Sequence, residues 1–175
     1  MKTKQEIKIE LNAVFAQLTE LVNTTDANRF KKSKNGKWNI AQNIDHLTLS
    51  NNITMMALHT PKMALKQLYN TNNRTNWNYE EVVWKYQLQL NTGAKASLPF
   101  VPKLGYIPVK SMLVRLWKLS CVALLKSLDA WSEKDLDTYI IPHPIIGKIT
   151  ARELLYFTIY HCKHHLQTMQ HLASA

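Results

Sequence analysis

The chain has 175 residues, 46% of them apolar and only 19% charged, which fits one domain with a buried core and excludes an unfolded chain. Twenty-two Lys and Arg against twelve Asp and Glu give a formal charge of +10, a balance that points to an anionic partner or substrate, while four glycines are too few for the many tight turns of a β-sandwich or barrel. Two cysteines, Cys121 and Cys162, exclude a disulfide framework and a zinc finger and lead us to expect a reducing compartment.

Ile7, Leu11, Val14, Phe15, Leu18, Leu21 and Val22 recur at three- and four-residue steps and predict a first amphipathic helix. A polar, basic stretch from Asn28 to Lys37 reads as a loop. Asn39 then caps a second helix with Gln42 reaching back to it, and Ile40, Ile44, Leu47, Ile53 and Met56 carry that helix to about Leu58. Pro61 marks a break or restart. Asn70 to Asn78 has a loop composition, and Asn78 with Glu81 starts a shorter helix through Val82, Val83, Tyr86 and Leu90.

Gly93 to Pro108 contains three prolines and two glycines and keeps no helical period, so it is an irregular segment long enough to cover something. The period returns at Leu113, Leu116, Trp117, Leu119, Ser120, Ala123, Leu124 and Leu128. Ser132, Asp135 and Asp137 predict a turn or a single helical turn, and His143 to Gly147 a second turn. Thr150 and Glu153 form a capping box for a last helix through Leu172. The expectation is an all-α, four-helix bundle over 1–175 as a single domain, with one extra short helix and irregular connections. No run of about 18 uncharged apolar residues occurs, and the start, Met1 to Glu6, has no apolar leader core, so a soluble, cytoplasmic protein without a membrane partner is expected.

Seven histidines stand out in this composition. His161 and His165 lie one turn apart on the last helix, the spacing at which two imidazoles share one ion, within a stripe of Leu154, Thr158, Met169 and Leu172. His164 points elsewhere, and Cys162, about 100° round the helix from His161, reads as packing. A bundle site draws a further ligand from a facing helix, and His46 steps with Leu49, Ile53 and Met56 in an inward seam, with Gln42 one turn earlier to orient its ring or to face a cavity. Three neutral imidazoles with a vacant position suit Zn²⁺ or a similar divalent ion. The spacing alone is more often that of surface histidines or a hydrogen-bonded core pair. No Glu stands where H-E-x-x-H would place a metalloprotease base.

The segment Trp38-Asn39-Ile40-Ala41-Gln42-Asn43-Ile44-Asp45-His46-Leu47 resembles the W-[ST]-x-x-[EQ]-x-x-x-H-L opening of the second helix in the DinB-like family. His143-Pro144-Ile145-Ile146-Gly147 with Thr150, Glu153 and then His161-Cys162-Lys163-His164-His165-Leu166-Gln167 is similar to its HPxxGxxTxxEllxF…H…HHxxQ closing segment. Asn39 replaces the usual Ser or Thr, an equally good cap. The resemblance implies a four-helix-bundle metalloenzyme fold over nearly the whole chain. It also implies one metal ligand on the second helix and a pair on the last, here His46, His161 and His165. Characterised members of that family transfer low-molecular-weight thiols to electrophiles or open a ring in thiol metabolism.

The reading that follows is an enzyme holding a divalent metal, Zn or Ni, which activates a small-molecule thiol or water for transfer to an electrophile, as an S-transferase or a hydrolase. The alternative is a non-catalytic metal-binding or interaction bundle. Trp77, Tyr106 and His143 are candidates for the rim, although His143 before Pro144 reads more readily as a turn residue. Nucleic acid is not an expected partner: the run from Lys31 to Lys37 has the composition of a solvated loop and no recognition motif accompanies it. Trp84, Trp117 and Trp131 exceed what one core needs, so a homodimer through an apolar patch is expected. His59, His143, His164 and His171 are set aside as structural or surface residues.

Overall fold

A computed structural model describes residues 1–33, 36–102 and 109–174. In chain order the elements are α1 (Lys4–Thr24), α2 (Ala27–Lys31), α3 (Ile40–His59), α4 (Lys62–Tyr69), α5 (Tyr79–Asn91), α6 (Lys110–Ser127), α7 (Glu133–Thr138), β1 (Ile140–His143), β2 (Gly147–Thr150) and α8 (Ala151–Ser174). α1, α3, α6 and α8 form the bundle: α3 packs on α6 and α8, and α1 packs on the same two helices from the other side. α5 leans on the outside of α8.

The helix starts are fixed by local chemistry. Asn39 Oδ1 accepts from the Gln42 N–H at 2.9 Å while Gln42 Oε1 accepts from the Asn39 N–H at 3.0 Å, a reciprocal cap repeated by Asn78 with Glu81 and by Ser132 with Asp135. The short α2 falls in the stretch expected to be a loop. Asp26 caps it by accepting from the N–H groups of Asn28 and Arg29, and Phe30 is fully buried beneath it.

β1 and β2 form an antiparallel hairpin closed by Pro144, Ile145 and Ile146, with Gly147 at φ +82°. Gly147, the first residue after the loop, takes a left-handed conformation that only glycine adopts without steric cost. The expected turn is therefore present, but the strands flanking it are an addition to an otherwise helical chain. The hairpin stacks on the start of α8, with Ile141 and Ile149 buried.

The core is continuous from Ile7, Leu11 and Leu18 on α1 through Ile44 and Leu47 on α3 and Leu113 and Leu124 on α6 to Leu155 and Ile159 on α8. Trp117 and Trp131 belong to it, which corrects the expectation that they form a surface patch. Trp117 packs edge-on against Phe15 with ring centroids 5.3 Å apart and donates its indole N–H to Thr19 Oγ1, while the Trp131 N–H is donated to the carbonyl of Leu58. A buried indole needs such a partner, and both have one. Only Trp84 of the three is exposed; the other exposed apolar residues include Met112, Leu116, Leu119 and Val122 on the outer side of α6. Among the described residues no helix is long and apolar enough to cross a membrane.

Candidate metal centre

α3 is an unusual core helix, because Asn43, His46, Ser50, Asn51 and Thr54 are buried together with Ile44 and Leu47. Buried polar groups of this kind cost free energy unless they are hydrogen-bonded or serve a site. The inward seam differs from the expected one: Met56 is 66% exposed, and His46 is followed inward by Ser50 and Thr54. On α8 the stripe of Leu154, Thr158, His161 and Met169 is buried as expected, with His165 partly so.

The two seams meet at three imidazoles. One ring nitrogen from each of His46, His161 and His165 lies within 4.8 Å of the other two. The Nε2 atoms of His46 and His161 face each other at 3.0 Å. Three imidazole nitrogens this close form a group that could hold one metal ion, and imidazole nitrogen is a donor that zinc takes.

The neighbouring acceptors decide which nitrogens are free. His46 Nδ1 lies 2.7 Å from the carbonyl of Phe100, which only accepts, so this nitrogen carries the proton and Nε2 keeps its lone pair. His165 Nδ1 lies 2.7 Å from Asn43 Oδ1. The Asn43 amide cannot turn round, because its Nδ2 donates to the carbonyls of Trp38 and Asn39. Asn43 therefore fixes His165 in the same tautomer. Gln42, expected to orient the His46 ring or to face a cavity, spends its side-chain carbonyl on the α3 cap, and the Phe100 carbonyl holds that ring instead. Phe100 belongs to the irregular segment after α5, whose described part, 93–102, does cover the site. Tyr106, proposed for the rim, lies outside the described residues.

Asn43→Leu is expected to lower divalent-metal affinity ten- to a hundredfold, because orienting partners of metal-binding histidines carry about that much. Competition with a chromophoric chelator measures it, and unchanged affinity would show that His165 does not depend on this amide.

The three rings stand at the foot of a cavity of about 730 Å³. Its walls include Trp38, Phe100, Ile141, Leu154 and Phe157, and the exposed Lys37 and Lys95 stand at its mouth. The Trp38 ring lies 5.0 Å from that of His46, and Phe157 stacks on His161 at 5.0 Å with the planes 20° apart. His143 lines the cavity 4.2 Å from Phe157, while its Nδ1 accepts from the N–H groups of Ile145 and Ile146 at 3.2 Å each. It is thus both the turn residue and the rim residue that the sequence left open. His164 also lines the cavity, edge-on to His165, but lies outside the triad. Trp77 does not line it; its ring carries the Arg74 guanidinium at 3.6 Å and the Lys85 ammonium at 4.2 Å. His59 and His171 are exposed. Burial pushes the thiols of Cys121 and Cys162 up, so both stay protonated in the core rather than acting as ligands.

Burial lowers the imidazole pKa of His46, and pushes His161 and His165 well below the ordinary 6.5. The neighbouring imidazoles add to the depression of the last two. The same desolvation brings His143 down to about 4. Neutral rings offer lone pairs at neutral pH, as a metal requires. They also tie stability to pH. A histidine depressed by folding takes up its proton first in the unfolded chain, so its contribution is complete above 6.5 and is lost as pH falls toward the folded value. For His143 that loss is about 3 kcal/mol between pH 6.5 and pH 4. The urea midpoint of the chelated protein is therefore expected to fall steadily from about pH 7 to about pH 5, and a flat or rising midpoint would contradict the depressed values.

Comparison with known proteins now gives the arrangement a context. The sequence model of the DinB superfamily matches residues 10–169. No curated protein matches the chain. Among solved structures, the chain is similar to TT2238, described as a four-helix bundle protein, with 18% identity, a TM-score of 0.63, and 97% of this chain and 99% of that one covered. It is also similar to the colibactin self-resistance protein ClbS in complex with a dsDNA, with 11% identity, a TM-score of 0.59, and 100% and 98% covered. At these identities the likeness is one of fold.

Proposed function

The chain belongs to the DinB superfamily, and from that premise and its three converging imidazoles we propose a metal-dependent enzyme that activates a small thiol, or water, for transfer to an electrophilic substrate. One observation carries the reading: His46 and His165 are each held by an acceptor on Nδ1, which leaves the lone pair of each Nε2 free, and both rings are grouped with His161 in the lining of one cavity. The donor set suits Zn²⁺ or Ni²⁺ and is a poor match for Mg²⁺ or Ca²⁺, which take oxygen ligands. A divalent cation held there lowers the pKa of a bound thiol or water and supplies a nucleophile at neutral pH.

The remaining work falls to the chain itself. Two packed helices hold the rings, so little reorganisation accompanies ligand binding. Trp38, Phe100 and Phe157 keep water from the inner cavity, and Lys37 and Lys95 favour substrates with negative charge.

The test is conjugation of cysteine to 1-chloro-2,4-dinitrobenzene by zinc- or nickel-loaded protein. A carbon–sulfur bond forms at the ring carbon, the carbon–chlorine bond breaks, and chloride and the thiol proton leave. Metal-dependent turnover that stops on chelation is expected. Bound metal without any turnover on this or hydrolysable substrates would leave the non-catalytic metal-binding bundle as the reading.

A second reading is favoured by the formal charge of +10 and by the fold shared with ClbS, whose structure contains a dsDNA. In it the basic surface meets duplex DNA. Salt-sensitive retention on duplex, weakened by neutralising Lys31 and Lys32, separates it from the first.

A further inference from the structure

His143 stands outside the triad, and the turn accounts for only one of its two ring nitrogens. Both amides of the hairpin loop converge on Nδ1, so that atom is an acceptor and the proton of the neutral ring sits on Nε2. Among the described residues no protein group meets Nε2. The ring lines the cavity, two ring-to-ring steps of 4.2 and 5.0 Å through Phe157 from His161. A fixed N–H donor beside apolar lining residues such as Ile141, Pro144 and Phe157 is what a pocket uses to orient a ligand that is apolar except for one oxygen. The flat ring of Phe157 stands beside it, and the rings of Phe100 and Trp38 line the same cavity.

We infer that His143 is the substrate-orienting residue of this cavity, its Nε2–H holding a carbonyl-type oxygen of a flat, apolar electrophile over the three imidazoles. The inference rests on the transfer reading only for the word electrophile, since the recognition itself needs no metal. It narrows the substrate class to aromatic or conjugated carbonyl compounds, whose oxygen gains negative charge when a nucleophile adds to the adjacent carbon or to the conjugated one. A donor aimed at that oxygen helps more in the transition state than in the ground state.

The experiment compares two probes of nearly the same shape, 1-acetylnaphthalene and 1-isopropenylnaphthalene, by calorimetry on the full chain with and without zinc. Wild-type protein is expected to bind the ketone about tenfold more tightly than the hydrocarbon, the worth of one neutral hydrogen bond in a desolvated site. His143→Asn places Oδ1 near the Nδ1 position, keeps the acceptor for the loop amides and withdraws the donor from the Nε2 position, its own N–H₂ being shorter in reach and set near the ring's Cδ2 position. It should bind both probes alike, with hydrocarbon affinity unchanged. His143→Gln carries an N–H near the Nε2 position and should retain the ketone preference even if the loop is less stable. A purely structural role would weaken both probes equally in both variants. Equal binding of the two probes by wild type, or a ketone preference that survives in His143→Asn, overturns the inference. Loss of the preference in that variant, with zinc-loaded protein inert toward thiols, would uphold the orienting role and remove the transfer reading instead.

Discussion

His161→Ala is expected to reduce zinc or nickel binding more than a hundredfold and to abolish metal-dependent conjugation, with His46→Ala close behind. Structural zinc sites are bound by about 10–16 kcal/mol over four ligands, so one imidazole carries roughly 3 kcal/mol, which is more than two decades in affinity. The Nε2 of His161 faces that of His46 at 3.0 Å, and its ring meets His165 edge-on at 4.7 Å. The fold should survive, since the side chain removed faces a cavity that exists already, and the α8 core of Leu155, Ile159 and Cys162 lies elsewhere on the helix. His59→Ala and His171→Ala alter exposed side chains whose only bonds are to carbonyls of their own helices, and serve as controls. Metal analysis by mass spectrometry together with thermal melts decides the matter. Undiminished metal in both His46→Ala and His161→Ala, with only a lower melting temperature, would falsify the site and return the three rings to the status of hydrogen-bonded core.

The bundle was legible in the sequence wherever its causes are local. Asn39 with Gln42, Asn78 with Glu81, and Thr150 with Glu153 announce helix starts because a cap is an exchange between residues three apart. The family motif and the one-turn spacing of His161 and His165 likewise survive in a linear string. What was lost depends on choices between near-equivalent neighbours or on distant partners. Gln42 and Asn43 both lie about one turn before His46, and the α3 cap claims the first and leaves the second to reach His165 across the bundle. Met56 continues the apolar period of α3 yet faces solvent, while the polar Ser50 and Thr54 face the cavity: a helix that lines a site reverses the usual inference from polarity to exposure. Trp117 and Trp131 were misjudged as surplus because their buried N–H groups find partners on other elements. Phe100 acts through its carbonyl, an atom that no side-chain motif can encode.

Glu153→Gln should be strongly destabilising while leaving the metal set intact. The carboxylate is completely buried and both of its oxygens are fully used. Oε1 accepts from Arg74 Nη1 and from the Trp77 N–H, and Oε2 accepts from Arg74 Nη2 and from the Thr150 N–H, all at 2.7–2.8 Å. One side chain thus caps α8, closes the end of β2 and pins the Asn-rich loop that leads into α5. An amide in its place turns an N–H₂ toward donors on one side and removes the charge that offsets the Arg74 guanidinium. Breaking a buried pair from one side costs about 3–5 kcal/mol. Arg74 is 32% exposed and can recover some hydration, so the lower end, about 3 kcal/mol, applies. In a chain of this size that lowers the melting temperature by roughly 6–12 °C. His161 and His165 stand two to three turns further along α8, anchored by their own core contacts and by Asn43, so metal stoichiometry at 25 °C should not change. A melting temperature within about 2 °C of wild type would show that the bidentate contact contributes little. If metal were lost along with stability, the imidazole cluster would depend on the start of α8 rather than on the α3–α8 seam that holds it here.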